Sequence, residues 1–322
     1  MPSYDIIGDV HGHAAVLETL LDTLGYSNRG DCYRHPSRTA VFVGDLIDRG
    51  EENFKTLEIV KAMTDNNRAL VVMGNHEFNA LCYHTRDKTG GYLRPHTRKN
   101  EAQHKEVLKE ISLRGSAAWE YYLEWFRRLP FFLDMEGFRV VHACWDSASI
   151  AFIRSNSQIR DRSGRITDTF LVEASRKGTN AFDAVEVLLK GKEINLPAGH
   201  PGIRDKDNNL RRKVRVKWWL PPEERKTAAT YDQVARIDER YLETLSKIRI
   251  SADILKEFRD DRGSAGSAPI FFGHYWFTGT PLPLAKNAAC LDYSVAKDGY
   301  LACYRWDGEQ ILEPSKFIYV KS

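Results

Sequence analysis

The amino-acid sequence predicts an α/β fold in which parallel strands alternate with helices. The main observation is that short apolar runs alternate with stretches of helical periodicity over the first 75 residues. Strand, helix, strand, helix and strand in this order are typical of a layer of parallel strands. The second observation is the composition, because 322 residues with 42% hydrophobic and 28% charged residues are enough to bury a full core.

The first half contains three predicted strands and two predicted helices. The strands are the apolar and β-branched runs Tyr4–Gly8, Thr39–Val43 and Ala69–Met73. After the first strand, apolar residues recur three or four positions apart as far as Gly25, where a helix is expected to end. A second helix with one apolar face is expected between the other two strands, around residues 54–63.

The second half of the chain is less regular. Residues 101–128 and the charge-rich residues 221–262 are expected to be helical, and a polar loop is expected at Asp260–Ala268. Further strands are predicted at Phe131–Asp134, Phe138–Ala143, Lys213–Trp219, Pro269–Phe272, Ala289–Val295, Tyr300–Trp306 and Gln310–Leu312. No proline- or glycine-rich linker divides the chain, so we expect a single domain over residues 1–322, with an insertion or cap over residues 146–262.

Several classes of protein are disfavoured by the composition. The five cysteines are scattered and none forms a CxxC pair, which argues against a disulfide framework and a thiolate zinc site. No apolar run approaches the roughly 20 residues that span a bilayer, so no membrane partner is expected. The chain begins without the pattern of a secretory signal, and a cytoplasmic location is therefore expected. A net charge of +3 does not by itself indicate a nucleic-acid-binding protein.

Polar residues follow five of the predicted strands, at the point where each strand ends. The motifs are GDVHG at Gly8–Gly12, GDLIDRG at Gly44–Gly50 and GNHE at Gly74–Glu77, and two single histidines follow later strands. Because the carboxyl ends of strands in an open α/β sheet meet at one crevice, these segments are expected to converge. The side chains that they would bring together are Asp9, His11, Asp45, Asp48, Arg49, Asn75, His76, His142 and His274.

This set of carboxylates, imidazoles and one amide suits Mn, Fe or Zn. Asp9 and His11 are two positions apart on an extended segment, so both side chains point to the same side and could bind one ion. A single carboxylate such as Asp45 could bridge two ions, and two ions about 3.5–4 Å apart can bind a phosphoryl group and activate water. The other histidines, among them His84, His96, His104 and His200, have no partner at a ligand spacing and are interpreted as ordinary.

The motifs and the two later histidines resemble those of the calcineurin-like metallophosphoesterases, in the branch that contains the serine/threonine protein phosphatases. The strand at Tyr4–Asp9 and the pair His35-Pro36 are most similar to bacterial diadenosine-polyphosphate hydrolases and polynucleotide phosphatase domains. The resemblance implies a fold of two mixed sheets packed face to face and flanked by helices. A mostly helical insertion would occupy residues 146–262, where no resemblance is evident.

The resemblance also implies a role for each matching residue. The metal ligands would be Asp9 and His11 for the first ion, Asp45 for both ions, and Asn75, His142 and His274 for the second ion. Arg49 would contact the phosphate, and His76, oriented by Asp48, would protonate the leaving group. The cofactors would be two divalent metal ions, most simply Mn, with Fe or Zn as alternatives. A hydroxide that bridges the ions would attack a phosphoester or phosphoanhydride bond.

The substrate is expected to be of nucleotide type, either a dinucleoside polyphosphate or a nucleic-acid end phosphate. Trp145, Tyr275 and Trp276 lie close to the expected metal histidines and could stack on a base, although packing is the commoner role of each such residue. Residues 201–220 hold seven Lys or Arg against two Asp, which could attract a polyanion. The candidates for a second phosphate-binding arginine are Arg204, Arg211 and Arg215. Two alternatives stay open: a phosphoprotein Ser/Thr phosphatase, and a non-catalytic regulatory module that binds metal or ligand.

Overall fold

A computed structural model of the chain describes residues 2–28, 30–204, 210–260 and 268–322. Its strands are Ser3–Ile7 (β1), Ser27–Asn28 (β2), Tyr33–Arg34 (β3), Arg38–Phe42 (β4), Ala69–Val71 (β5), Phe132–Asp134 (β6), Arg139–Val141 (β7), Glu193–Asn195 (β8), Ile203–Arg204 (β9), Leu210–Arg211 (β10), Lys213–Val216 (β11), Ala235–Arg236 (β12), Ile270–Phe272 (β13), Ala288–Cys290 (β14), Asp292–Tyr293 (β15), Tyr300–Trp306 (β16) and Phe317–Lys321 (β17). Its α-helices are Ala14–Leu24 (α1), Asn53–Asp65 (α2), Asn75–His84 (α3), Arg98–Arg114 (α4), Ser116–Phe126 (α5), Ser147–Ser155 (α6), Asp168–Ala174 (α7), Asn180–Lys190 (α8), Pro222–Thr227 (α9), Tyr231–Val234 (α10), Glu239–Leu245 (α11) and Ala252–Asp260 (α12). Within these described ranges, no helix has the length and apolar character needed to cross a membrane.

The larger sheet contains the three strands predicted in the first half of the chain. Its order is β15-β16-β1-β4-β5, and β17 also pairs with β16. The strands β1, β4 and β5 are parallel to one another, whereas β16 is antiparallel to β1. In this register Ile7 lies opposite Phe42, and Phe42 lies opposite Val71. The three parallel strands therefore end at the same edge of the sheet, just before the three polar motifs.

A second, four-stranded sheet packs against the first. Its order is β14-β13-β7-β6, with β13 parallel to both neighbours and β6 antiparallel to β7. Both sheets contribute to one buried apolar layer, for example through Ile6 and Val41 from the larger sheet and Val140 and Phe271 from the smaller sheet. The predicted arrangement of two mixed sheets packed face to face is therefore confirmed.

Helices flank the two sheets, also as predicted. Side chains alternate between the faces of a strand, so Ile7 and Phe42 point away from the layer that contains Ile6 and Val41. They belong instead to a large apolar cluster that includes residues of α1, α2, α5 and α8. Phe272 of the smaller sheet belongs to the same cluster. Because both sheets have one face inward and one face under helices, their strands are apolar almost throughout.

Three elements differ from the prediction. The helix expected over residues 101–128 is two helices, α4 and α5, because Gly115 adopts φ +93° and interrupts the helix. The run Ala289–Val295 is divided between β14 in the smaller sheet and β15 in the larger sheet. Gln310–Leu312 is not a strand, since Leu312 enters the layer between the sheets while the preceding residue is exposed. The last strand, β17, follows a short 3-10 helix.

Residues 193–260, which we call the 193–260 subdomain, have a hydrophobic cluster of their own. The strands β8, β11 and β12 form a three-stranded antiparallel sheet, and β9 and β10 form a separate pair. Val214, Val216 and Leu245 are among the buried residues of this cluster. The preceding helices α6, α7 and α8 instead belong to the large cluster under the main sheets.

The region predicted to be a mostly helical insertion therefore contains helices together with short strands. The strand expected at Lys213–Trp219 is present over its first part as β11, and Trp218 and Trp219 turn away into the large apolar cluster. Residues 205–209 and almost all of the loop expected at Asp260–Ala268 lie outside the described residues. The division of the chain at residues 146 and 262 stays a prediction.

Candidate metal centre

The nine side chains predicted from the motifs are brought to one place. They follow β1, β4, β5, β7 and β13, and each is at most 8% exposed except Arg49, which is partly exposed. Five of them have backbone φ angles between +49° and +76°, a region that residues other than glycine rarely adopt: His11, Asp45, Asp48, Arg49 and His274. Such strain is typical of positions where the surrounding structure holds a side chain for a function.

The centre is organised around the carboxylate of Asp45. Its Oδ2 lies 3.3 Å from Nε2 of His142 and 3.8 Å from Nε2 of His11 and of His76. Two groups of potential ligand atoms share this residue, one with His11 and His76 and the other with His142 and His274. A carboxylate that belongs to two adjoining ligand groups has the position that is needed to bridge two ions.

The imidazoles of this centre are oriented by the backbone. His142 donates through Nδ1 to the carbonyl of Val43 at 2.7 Å, and His11 donates through Nδ1 to the carbonyl of Ile47 at 3.1 Å. A hydrogen bond at Nδ1 leaves Nε2 as the ligand atom, and in both residues Nε2 faces Asp45.

Several buried polar atoms of the centre have no hydrogen-bond partner among the described residues. These atoms are Oδ1 of Asp9, Nε2 of His11 and Nε2 of His274. A buried polar group that lacks a partner is costly, so such atoms are rare unless a ligand completes the site. Divalent cations fit this donor set of carboxylate oxygens and imidazole nitrogens. The residues present therefore fit the metal ions that the sequence predicts.

Electrostatics favour a positive charge at the same place. Burial raises the pKa of Asp9 well above its usual value, and the neighbouring Asp292 adds to this effect. Burial opposes the charged form of His142, but Asp45 outweighs it and raises the pKa of this imidazole to about 10. Burial and His76 lower the pKa of His11 to about 3. A bound cation would satisfy the two buried carboxylates without protons.

Glu77, the last residue of the GNHE motif, holds two of the loops together. Its carboxylate accepts hydrogen bonds from the backbone amides of Asp45, Leu46 and Gly74, at 2.8 to 2.9 Å. Burial, followed by the charge of Asp45, raises the pKa of Glu77 to about 7. A Cβ atom at Gly74 would come within 2.2 Å of the Asp45 amide nitrogen, so only glycine allows this approach. The motif thus positions the Asp45 carboxylate that the two candidate ligand groups share.

Asp48 joins two histidines next to the metal centre. Nδ1 of His76 donates to Oδ2 of Asp48 at 2.5 Å, and Nδ1 of His104 donates to Oδ1 at 2.7 Å. Burial opposes ionisation of Asp48, but the two imidazoles outweigh it and hold its pKa below the usual value. Burial also opposes the charged form of His76, but Asp45 and Asp48 raise its pKa. An imidazole with these properties can donate a proton at neutral pH.

Comparison with known proteins decides the family of this chain. The sequence model of the family described as calcineurin-like phosphoesterase matches residues 3–233 of this chain. The chain belongs to the calcineurin-like phosphoesterase family. The resemblance carried by the motifs is therefore confirmed, as is the prediction of a metallophosphoesterase at the level of the family.

Two curated relatives are bacterial dinucleoside tetraphosphatases. An asymmetrical bis(5′-nucleosyl)-tetraphosphatase of Oceanobacillus iheyensis is 30% identical over 141 residues, which cover 43% of this chain and 54% of the relative. A symmetrical bis(5′-nucleosyl)-tetraphosphatase of a Marinomonas species is 28% identical over 196 residues, or 59% of this chain and 62% of the relative. The aligned part of this chain thus spans less than two thirds of each relative.

The fold is also similar to that of a solved protein serine/threonine phosphatase from Saccharomyces cerevisiae. That likeness has a TM-score of 0.50 at 14% sequence identity, and it covers 99% of the phosphoesterase and 79% of the yeast chain. At this identity the similarity concerns the fold alone.

The aromatic residues beside the candidate ligand histidines are mostly packed inside the protein. Trp145 and Tyr275 are 4% and 2% exposed, and Oη of Tyr275 accepts a hydrogen bond from Trp218. Trp276 is half-buried, and its ring stacks on His11 with centroids 5.3 Å apart. Packing is therefore the role of the first two residues, and neither can offer a free face to a nucleobase.

Among the three candidate arginines, Arg215 lies towards the metal centre. It is one of the charges that lower the pKa of His274, after burial, and its Nε donates to the carbonyl of Lys190 at 2.7 Å. Arg236 lies opposite it in the β11–β12 pairing and donates to the carbonyl of Trp276 at 3.0 Å. Two arginines from the 193–260 subdomain thus border the candidate metal centre.

The sequence did not indicate the role of His104 or Glu77. His104 lies on α4, 56 residues from Asp48, and carries no motif that would connect the two. Glu77 stands inside a motif, but only the folded loops show which backbone amides it binds. Both contacts depend on long-range geometry, so no pattern in the sequence could have indicated them.

Proposed function

We propose that this chain hydrolyses phosphoanhydride or phosphoester bonds of nucleotide-type substrates at a centre that binds two divalent cations. The observation that carries the proposal is the buried Asp45 carboxylate, which belongs to two adjoining ligand groups. Unpartnered ligand atoms on Asp9, His11 and His274 support it. When bound, two cations would neutralise charge on the phosphate and lower the pKa of the attacking water.

The proposed ligands are those that the motifs indicate. Asp9 and His11 would hold the first ion, Asp45 both ions, and Asn75, His142 and His274 the second ion. This mixture of oxygen and nitrogen ligands suits Mn, Fe or Zn, and we propose Mn as the resident metal with the other two as alternatives. Phosphate oxygens would be bound by Arg49, whose guanidinium lies 5.5 Å from the Trp276 ring, and by Arg215.

His76 would protonate the oxygen of the leaving group. Its Nδ1 is held by Asp48, which leaves Nε2 directed towards the centre, 3.8 Å from Oδ2 of Asp45. The raised pKa of His76 keeps a proton available near neutral pH, and the carboxylate of Asp48 stabilises the charged imidazolium. General acid catalysis of this kind matters most when the leaving oxygen is strongly basic.

Two observations support a nucleotide-type substrate. The relatives described above are named as tetraphosphatases of dinucleosides, whose substrates carry several phosphates. In this chain, positive charges border the centre, since Arg49 and Lys297 face the Trp276 ring and Arg236 binds its carbonyl. Several cations around one metal centre suit a substrate with more than one phosphate, such as a dinucleoside polyphosphate.

A comparison of substrates tests the proposal. Metal-stripped protein with Mn restored would be given a dinucleoside tetraphosphate, a 3′-phosphorylated oligonucleotide, a phosphoserine peptide and p-nitrophenyl phosphate. We expect the highest kcat/KM on the dinucleoside tetraphosphate and no turnover before Mn is added. Preference for the phosphopeptide would establish a protein phosphatase instead, and a lack of Mn-dependent turnover on all four would favour a non-catalytic regulatory module.

A further inference from the structure

A narrow cleft lies beside His76, next to the metal centre. It is bounded by one side of α3, by the first two turns of α4 and by the segment between these helices. Asp48, Asn79, Arg94 and Gln103 are among the residues that line it. Since His76 is the proposed proton donor, a leaving group that takes its proton must lie beside this imidazole.

Among the described residues that line this cleft, Arg94 is the one arginine, and it is held by neutral groups. Its Nη1 donates to Oδ1 of Asn79 and its Nη2 donates to Oε1 of Gln103, each at 2.7 Å. Among the described residues, Arg94 forms no ion pair with a carboxylate. The side chain is half-buried, and burial lowers its pKa, yet a guanidinium keeps its charge at any physiological pH. A charge that is partly removed from water without an ionic partner is suited to receive an anion.

The position of Arg94 relative to His76 is fixed by α3. The amide of Arg94 donates to the carbonyl of Cys82 near the end of this helix, at 3.0 Å. Asn79, which accepts from the guanidinium, lies about one turn after His76 on the same helix. The helix thus carries the proton donor at its start and anchors both the backbone and the side chain of Arg94. The guanidinium is therefore preorganised with respect to the leaving group.

Ring stacking stiffens the segment that carries Arg94. The ring of His96 stacks between those of Tyr83 and Tyr92, with centroids 3.8 Å and 3.9 Å apart. Nε2 of His96 also donates to the carbonyl of Tyr83 at 2.9 Å. Because Tyr83 belongs to α3, the stack is a second attachment of this segment to the same helix.

We propose that Arg94 binds a phosphate of the leaving group. The inference rests on the function proposed above and narrows its substrate class, because the leaving group would carry a phosphate of its own. The bond cleaved would then be a phosphoanhydride, as between the phosphates of a nucleoside polyphosphate. Arg49 would bind the transferred phosphoryl group beside the metals, and Arg94 would bind the phosphate of the leaving group.

The test compares substrates with and without a phosphate in the leaving group. Arg94→Met, Arg94→Lys and wild type would be assayed with Mn on a dinucleoside tetraphosphate and on p-nitrophenyl phosphate. We expect the loss of kcat/KM caused by Arg94→Met to be roughly tenfold larger on the dinucleoside tetraphosphate, because a charge-assisted contact is lost there alone. Arg94→Lys keeps the charge, so its kcat/KM should lie between those of wild type and Arg94→Met. The matched control is Arg98→Met, which removes an exposed arginine at the start of α4.

Equal losses on both substrates, or no loss on either, would overturn the role of Arg94. If Arg94→Met does not fold, Arg94→Gln replaces it, since glutamine can still bond to Asn79. The ratio of its losses of kcat/KM on the two substrates then decides. The outcome is distinct from failure of the proposed function. Wild-type protein without Mn-dependent turnover on any substrate would refute the proposed function, whereas phosphoanhydride cleavage with an unchanged ratio in Arg94→Met, or cleavage of phosphoesters but no phosphoanhydride, would refute this proposal alone.

Discussion

The metal centre lies on the cores of the two main sheets, whereas the 193–260 subdomain depends on a small core of its own. At the centre, the loops after β1 and β4 bind each other through the backbone: the amides of Val10 and His11 donate to the carbonyl of Asp45 at 3.1 and 2.9 Å. The subdomain is joined to its surroundings largely by side chains, as when Arg215 donates to Lys190 and Arg236 donates to Trp276. Its strands are only two to four residues long.

This difference indicates that chemistry and recognition are placed on elements of different stability. Groups that must hold a metal have to keep their distances within narrow limits, and interlocked loops over a large core provide that rigidity. Groups that bind a substrate without holding a metal tolerate more movement, and Arg215, which we propose binds phosphate, lies on the small sheet of the subdomain. Loss of order in the subdomain should therefore weaken substrate binding before it disturbs the metals.

The largest effect is expected from Asp45→Asn. An amide cannot bridge two cations as a carboxylate does, so kcat/KM should fall roughly a thousandfold, or about 4 kcal/mol, on every substrate. The Mn content measured on the purified variant should fall as well. Asp65→Asn, which changes an exposed aspartate paired with Lys61, is the matched control and should behave as wild type. Normal turnover by Asp45→Asn would contradict the shared metal centre.

The same contrast explains how much of the fold the sequence could predict. The main sheets were predictable because apolar strands and helical periodicity are local patterns, as at Tyr4–Gly8, which corresponds to β1. Breaks within helices were harder to predict. Gly115 lies between two segments with a helical pattern, and its backbone conformation is determined by tertiary packing. In the 193–260 subdomain the strands are too short for periodicity to distinguish them from loops, so only β11 was indicated.

The residues of the site also differ in how far the sequence could predict their positions. Candidate ligands such as Asp9 and His142 follow strands directly, so a rule about strand ends could place them together. His104 and Arg94 reach the site from α4 and from the segment before it, through contacts that no sequence spacing records. Residues that act through distant partners become visible only when the chain is folded.

An intermediate effect is expected from Leu245→Ala, which removes a fully buried side chain from the core of the subdomain. The lost contacts and the resulting cavity should lower the free energy of opening of this region by about 3 kcal/mol. Hydrogen exchange of the amides of β11 and β12 would measure the change, with Leu242→Ala on the same helix, 44% exposed, as the control. Exchange in β1 and β4 should not change; equal acceleration there would show that the two regions unfold as one unit.

The smallest effect is expected from His104→Leu, because His104 acts as a positioning residue through Asp48. Leucine cannot donate to Oδ1 of Asp48, so the carboxylate is free to turn and holds His76 less well. We expect kcat on an unactivated ester such as phenyl phosphate to fall roughly tenfold, and kcat on p-nitrophenyl phosphate to fall less. His104→Asn retains a donor near the position of Nδ1 and should restore much of the rate.

A double-variant cycle separates this positioning role from a general loss of structure. In a His76→Asn background the proton donor is already absent, so His104→Leu should then have little further effect on kcat. Losses that add in the double variant, or that are equal for both leaving groups, would instead assign His104 to the packing of α4 against α3. Non-additive losses would show that Asp48 couples the two histidines, and that the general acid is held from a helix outside every motif of the chain.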